Sequence, residues 1–131
     1  MSNRTSATGG RGVIAVLFEA LPREDRRQAY FDIAEELRPL LAENDGFLSI
    51  ERFESISTPG KVLSLSFWRD EAAVAAWRQR MEHRQAQRAG RKSVFTEYRL
   101  RVAEVVRDYG MSRRDEAPAD SLKVHDEGET A

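Results

Sequence analysis

The sequence predicts one small α+β domain of β-α-β-β-α-β order over residues 12–110, flanked by disordered tails at 1–11 and 111–131. Two observations carry this. Short runs rich in Val, Leu and Phe, bounded by Gly, Pro, Asn and Asp, alternate with two longer stretches whose apolar residues recur at threes and fours. The chain has 131 residues and is 40% hydrophobic, which suffices for a single core.

The elements follow in order. Val13–Glu19 is a continuous apolar run after a glycine, ended by Pro22, and reads as a strand. Arg23–Glu43 carries Tyr30, Ile33, Ala34, Leu37, Leu40 and Leu41 on one helical face. Pro39 removes an amide donor inside that pattern, so a kink or an early end near Arg38 is expected. Asn44-Asp45-Gly46 is the stop signal. Phe47–Ile56 and Lys61–Arg69 read as strands joined by the Ser57-Thr58-Pro59-Gly60 hairpin loop. Asp70 is placed to cap a second helix, and Thr96–Tyr109 reads as the last strand before Gly110.

The second helical region contains a conflict. With Trp77 at the centre of the inner face, Ala73, Val74 and Met81 lie beside it, but so do Arg80, Arg84, Arg88 and Arg91. Charged residues cannot share a buried face with an indole unless they find partners. A break between about Gln79 and Glu82 resolves the conflict by turning His83 inward and the arginines outward.

Composition bounds the function. One third of the residues are charged, yet the formal net charge is −1, which argues against a nucleic-acid binder. There is no cysteine, so disulfides, thiolate metal sites and a thiol nucleophile are excluded. The start of the chain lacks the apolar stretch of a signal peptide, and no apolar run reaches membrane-spanning length, so a cytoplasmic protein without membrane contact is expected. The segment 111–131 sets Arg113, Arg114 and Lys123 against six acidic residues, the composition of a solvated tail. In the first strand, Val13, Ala15 and Leu17 make one face apolar and Ile14, Val16 and Phe18 the other. Two helices cover one face of a four-stranded sheet. A second copy of the sheet is the simplest cover for the other, which predicts a homodimer through sheet faces.

Gly46-Phe-Leu-Ser-Ile-Glu-Arg-Phe53, Leu65-Ser-Phe-Trp-Arg-Asp-Glu-Ala72, Ala76-Trp77-Arg78, Glu82-His83-Arg84 and Tyr98-Arg-Leu-Arg-Val102 together resemble the antibiotic biosynthesis monooxygenase domain family, over roughly residues 12–110. The resemblance implies a ferredoxin-like fold with an antiparallel four-stranded sheet, in the dimeric α/β-barrel arrangement, with a pocket between sheet and helices. Some such relatives oxidise aromatic polyketides or quinols with O2 and no metal, flavin or haem; others bind and degrade haem. The haem-degrading relatives carry an asparagine in the first strand, a tryptophan in the second helix and an axial histidine about ten residues after it. Here Trp77 matches, Val13–Glu19 holds no asparagine, and the position ten residues past Trp77 is Gln87, with His83 only six residues past it.

The leading expectation is therefore a cofactor-independent monooxygenase of a planar aromatic or quinol substrate, with no metal site. Haem binding or degradation is one alternative, and a non-catalytic dimeric module for a small ligand is another. His83 is the acid/base candidate because imidazole titrates near neutral pH. Trp77 joins it as a catalytic candidate, with an indole face and an N–H donor. Phe67 and Trp68 are candidates for stacking on the substrate, and Arg52 and Arg84 for stabilising an anion.

Overall fold

The computed structural model describes residues 12–87 and 95–121, with the side chains of the second helix described as far as Glu82. Residues Gly12–Glu104 form one compact unit, and the chain from Val105 belongs to another. In the first unit, strand β1 (Ile14–Pro22) is followed by a short 3-10 turn (Glu24–Arg26), helix α1 (Arg27–Glu43), strands β2 (Phe47–Glu54) and β3 (Val62–Trp68), helix α2 (Glu71–Gln87) and strand β4 (Phe95–Glu104). This is the order expected from the sequence. The strands form one antiparallel sheet in the order β2-β3-β1-β4. Within the single chain the sheet is open and not closed into a barrel.

Strand alternation sorts the residues of the sheet into two faces. Ile14 pairs with Trp68, Val16 with Ser66, Phe18 with Ser64 and Ala20 with Val62. This face carries both helices: Leu41 of α1 and Ala73 of α2 join Ile14 and Trp68 in the buried cluster. The opposite face carries neither helix, and presents Ala15, Leu17, Leu63, Leu65 and Phe67 from the two central strands. Phe53 of β2 lies across from Leu63 on that face and is exposed.

Three boundaries differ from the sequence expectation. Helix α1 runs through Pro39 to Glu43 without ending near Arg38. Pro39 and Glu35 are both exposed, so the carbonyl that loses its amide donor is on the solvent side, where water can satisfy it. Helix α2 runs unbroken from Glu71 to Gln87, so the break between Gln79 and Glu82 does not occur. The reason is that Arg80 finds partners: its guanidinium donates to the Leu40 carbonyl (3.4 Å) and to Glu43 Oε1 (3.1 Å) at the C-terminal end of α1. A cation there also meets the negative end of the helix dipole. Finally, β4 stops at Glu104 and not at Tyr109. Glu104 stands opposite Ile14, the first residue of β1, so no partner strand remains beyond it.

Local chemistry fixes the connections. Gly46 has φ +92°, and a Cβ there would lie 2.6 Å from the Ala73 Cβ, so only glycine lets the α1–β2 turn lie against α2. Asn44 Nδ2 donates to the Ala73 carbonyl (3.3 Å) across the same contact. Asp70 caps α2 as expected, its Oδ1 accepting from the Ala73 N–H at 2.9 Å. Pro22 is accommodated at the end of β1 because the β1–β4 register shifts between Leu21 and Pro22. In the unit beyond β4, Arg114 donates to the carbonyls of Gly110 and Ser121, both at 3.1 Å, and its guanidinium lies over the Tyr109 ring.

Candidate functional site

The helix-bearing face of the sheet has a packed end and an uncovered end. At the packed end Trp68 is buried, and its indole N–H donates to Ser66 Oγ at 2.8 Å. Its ring meets Phe47 edge-on at 5.3 Å and Trp77 at 6.3 Å between centroids. Ile14, Leu41 and Ala73 complete a close-packed core, with Val16, Ile50 and Val74 against it.

At the other end the face continues onto β4. Val102 pairs with Val16, Leu100 with Phe18, and Tyr98 with Ala20. Tyr98, Leu100 and Val102 therefore point to the helix side of the sheet, yet they remain 61%, 52% and 45% exposed. They form an apolar row on an edge strand. Behind this row lies an aromatic cluster. Phe18, Phe95 and Tyr98 are mutually in contact at 5.5–5.7 Å. Phe95 also meets Tyr30 of α1 at 5.6 Å. The Tyr30 hydroxyl lies 3.3 Å from Ser64 Oγ, and both residues are buried.

The residues singled out from sequence separate across this architecture. Trp68 and Trp77 come together on the helix side, with Trp68 in the core and Trp77 half-buried at its margin. Arg52 is on the same face, opposite Ser64 in the β2–β3 register, and its buried Nε has no hydrogen-bond partner. Phe67 points to the helix-free face, across from Ala15, and does not meet the two tryptophans. His83 and Arg84 fall within the span of α2, and their side chains lie outside the described residues. Sequence reasoning did not propose Phe18, Tyr30, Ser64, Tyr98, Leu100 or Val102 as site residues. The period-two spacing of Tyr98, Leu100 and Val102 was available, but only the strand register shows that they share a face with Phe18.

Glu104, opposite Ile14, ends this row on the same side of the sheet. Glu19 accepts from Lys61 (3.2 Å) and Arg101 (3.1 Å) on the helix-free face, and the Lys61 hydrogen bond is the main cause holding its carboxyl below the ordinary value. Asp70 is also held low, chiefly by the Ala73 N–H and then by Arg69. Among the described residues no group of three or more His, Cys, Asp or Glu side chains is placed to hold a metal ion. No described helix is long and apolar enough to cross a membrane.

Comparison with known proteins gives these faces a family. The model of the family described as antibiotic biosynthesis monooxygenase matches residues 13–89, the stretch that builds β1 to α2. The chain belongs to the antibiotic biosynthesis monooxygenase family. A jasmonate monooxygenase of Pyricularia oryzae is 46% identical over 93 residues, which are 71% of this chain and 43% of that protein. The chain thus spans less than half the length of that relative. An uncharacterised protein of Bacillus subtilis, YqjZ, is 32% identical over 71% of this chain and 79% of its own. Among solved structures, Rv0793 of Mycobacterium tuberculosis superposes with a TM-score of 0.63 at 21% identity, over 75% of this chain and 99% of its own. A mutant of MhuD with two manganese protoporphyrin IX molecules per active site superposes with a TM-score of 0.59 at 18% identity, over 74% of this chain and 98% of its own. These structural likenesses establish the antiparallel ferredoxin-like fold.

Proposed function

We propose that this domain is a cofactor-independent monooxygenase that oxidises a planar aromatic or quinol-type substrate with O2. The observation that carries the reading is the uncovered apolar row of Tyr98, Leu100 and Val102, set beside Phe18 on the helix side of the sheet, in a chain of this family. A flat hydrophobic molecule lying on this row would bury surface that the two helices leave open, and the neighbouring rings favour aromatic contact.

The chemistry needs little from the protein. For a substrate with a phenol-activated methylene, that methylene and one molecule of O2 give a ketone and water. One oxygen atom becomes the carbonyl, and the other leaves with the two methylene hydrogens. All the electrons come from the substrate. The protein takes a proton, stabilises the anion and keeps water out. In this reading His83 is the base, Arg52 and Arg84 stabilise the anion, and Trp77 lies at the margin of the site. The active form is a cytoplasmic homodimer in which the helix-free faces, with Leu17, Leu63, Leu65 and Phe67, cover one another. The haem-degrading pattern is matched only at Trp77: the β1 residues on the helix side are Ile14, Val16, Phe18 and Ala20, none of them an asparagine, and Gln87 stands ten residues past Trp77, which leaves His83 as the one histidine of α2.

The 46% identity to a jasmonate monooxygenase favours a second reading, a jasmonate-like substrate. Jasmonate is an alicyclic ketone with a carboxylate that Arg52 suits. Hydroxylating its unactivated C–H bond while reducing the second oxygen atom to water takes two electrons from an external reductant, whereas an activated phenol supplies its own. Oxygen uptake in metal-free buffer separates the two readings. The first expects uptake with anthrones or naphthohydroquinones and no added reductant, lost in His83→Ala. The second expects turnover of jasmonate only when a nicotinamide-linked reductant system is added. No uptake above the uncatalysed rate under either condition would contradict both.

A further inference from the structure

Central strand β3 places four residues on the helix side, Val62, Ser64, Ser66 and Trp68, and all four are buried. Two of these are serines, where an apolar side chain would avoid the cost of desolvating a hydroxyl. Ser66 has a clear use: it accepts the Trp68 indole proton at 2.8 Å, an ordinary hydrogen-bond length. Ser64 is different. Its oxygen faces the Tyr30 hydroxyl at 3.3 Å, longer than hydroxyl pairs normally adopt. Ser64 is 8% exposed and Tyr30 6%, so bulk water does not supply what the pair lacks. The two hydroxyls carry two protons, and their mutual contact uses one.

This half-satisfied pair sits beside the uncovered row. Ser64 is the cross-strand partner of Phe18, and Phe18 is the partner of Leu100. Tyr30 packs against Phe95, which packs against Phe18 and Tyr98. A ring lying over Phe18 and Leu100 would have one edge toward these two oxygens.

We infer that Tyr30 and Ser64 form the polar end of the substrate surface and bind an oxygen substituent at the edge of a planar aromatic ligand. Resting on the function proposed above, this adds the requirement that the substrate present a hydroxyl or carbonyl oxygen on the edge that faces α1. Tyr30 and Ser64 are specificity residues in this scheme; neither is asked to transfer the reacting proton.

The test compares two probes of nearly equal shape, 2-naphthol and 2-methylnaphthalene, titrated against the full chain by quenching of tryptophan fluorescence. The readout is the ratio of their dissociation constants. In Tyr30→Phe, which keeps the ring and its packing, the preference for 2-naphthol should fall about tenfold, as expected for one buried hydrogen bond. Ser64→Ala should lower it in the same direction, and serves alone if Tyr30→Phe fails to fold. The affinity for 2-methylnaphthalene should hold steady. A ratio unchanged in both variants would overturn the inference and leave Tyr30 and Ser64 as packing residues only. Failure of both probes to bind the native protein would also overturn it, while anthrone-dependent oxygen uptake would still support the proposed reaction. If the ratio shifts as described but no oxygen is consumed, the binding edge stands and the reaction falls.

Discussion

The two ends of the helix-bearing face are built from the same strands yet are finished differently. At one end α1 and α2 close over Ile14 and Trp68, and the buried Trp68 indole N–H donates to Ser66 at 2.8 Å. At the other, Phe18 and the row on β4 share the same side of the sheet, but Tyr98, Leu100 and Val102 stay open and a buried hydroxyl pair is only loosely matched. The difference teaches that one layer can hold stability and recognition apart. The first end fixes the fold, and the second offers apolar area and hydrogen-bonding capacity to something else.

Substitutions can break or sharpen this contrast. The largest effect is expected for Trp68→Ala, which removes the largest buried side chain and its bond to Ser66; a loss of about 3–5 kcal/mol in denaturant unfolding is typical of such truncations. Gly46→Ala should follow, because a left-handed backbone costs about 1–2 kcal/mol for an L residue and the added methyl also meets Ala73. Asp70→Ala should cost about 1 kcal/mol through loss of the α2 cap. The Asp70 carboxyl is held below its ordinary value in the folded state by the Ala73 N–H and by Arg69. Its contribution is therefore complete above the ordinary carboxylate range and is lost as pH falls through the folded-state value, and Asp70→Ala should remove that part of the acid sensitivity. The smallest effect on stability belongs to the uncovered end: Leu100→Ala should stay within about 0.5 kcal/mol while weakening aromatic ligands.

Much of this was legible in the sequence. The order of elements, the inner face of α1 and the Asp70 cap follow from spacing and capping chemistry, because these are local signals. The run through Pro39 and the unbroken α2 were not legible, since each depends on a distant circumstance: a solvent-facing carbonyl in one case and the reach of Arg80 to Leu40 and Glu43 in the other. The site was legible in part. Trp77 and Trp68, both singled out from sequence, lie 6.3 Å apart between ring centroids, whereas Phe67, one residue from Trp68, faces the other side of the sheet. A strand shows neighbours to opposite faces, so adjacency in sequence misleads there. Tyr30, Ser64 and the β4 row become neighbours only through pairing across four strands and a helix, which sequence spacing does not encode.

The central claim is that substrate lies on the helix side of β1 and β4. A crystal structure of the protein saturated with a naphthohydroquinone under anaerobic conditions tests it most directly. The account predicts the ring over Phe18 and Leu100, with an oxygen within hydrogen-bonding distance of Tyr30 or Ser64. A ligand seated instead against Leu65 and Phe67 on the helix-free face would contradict it.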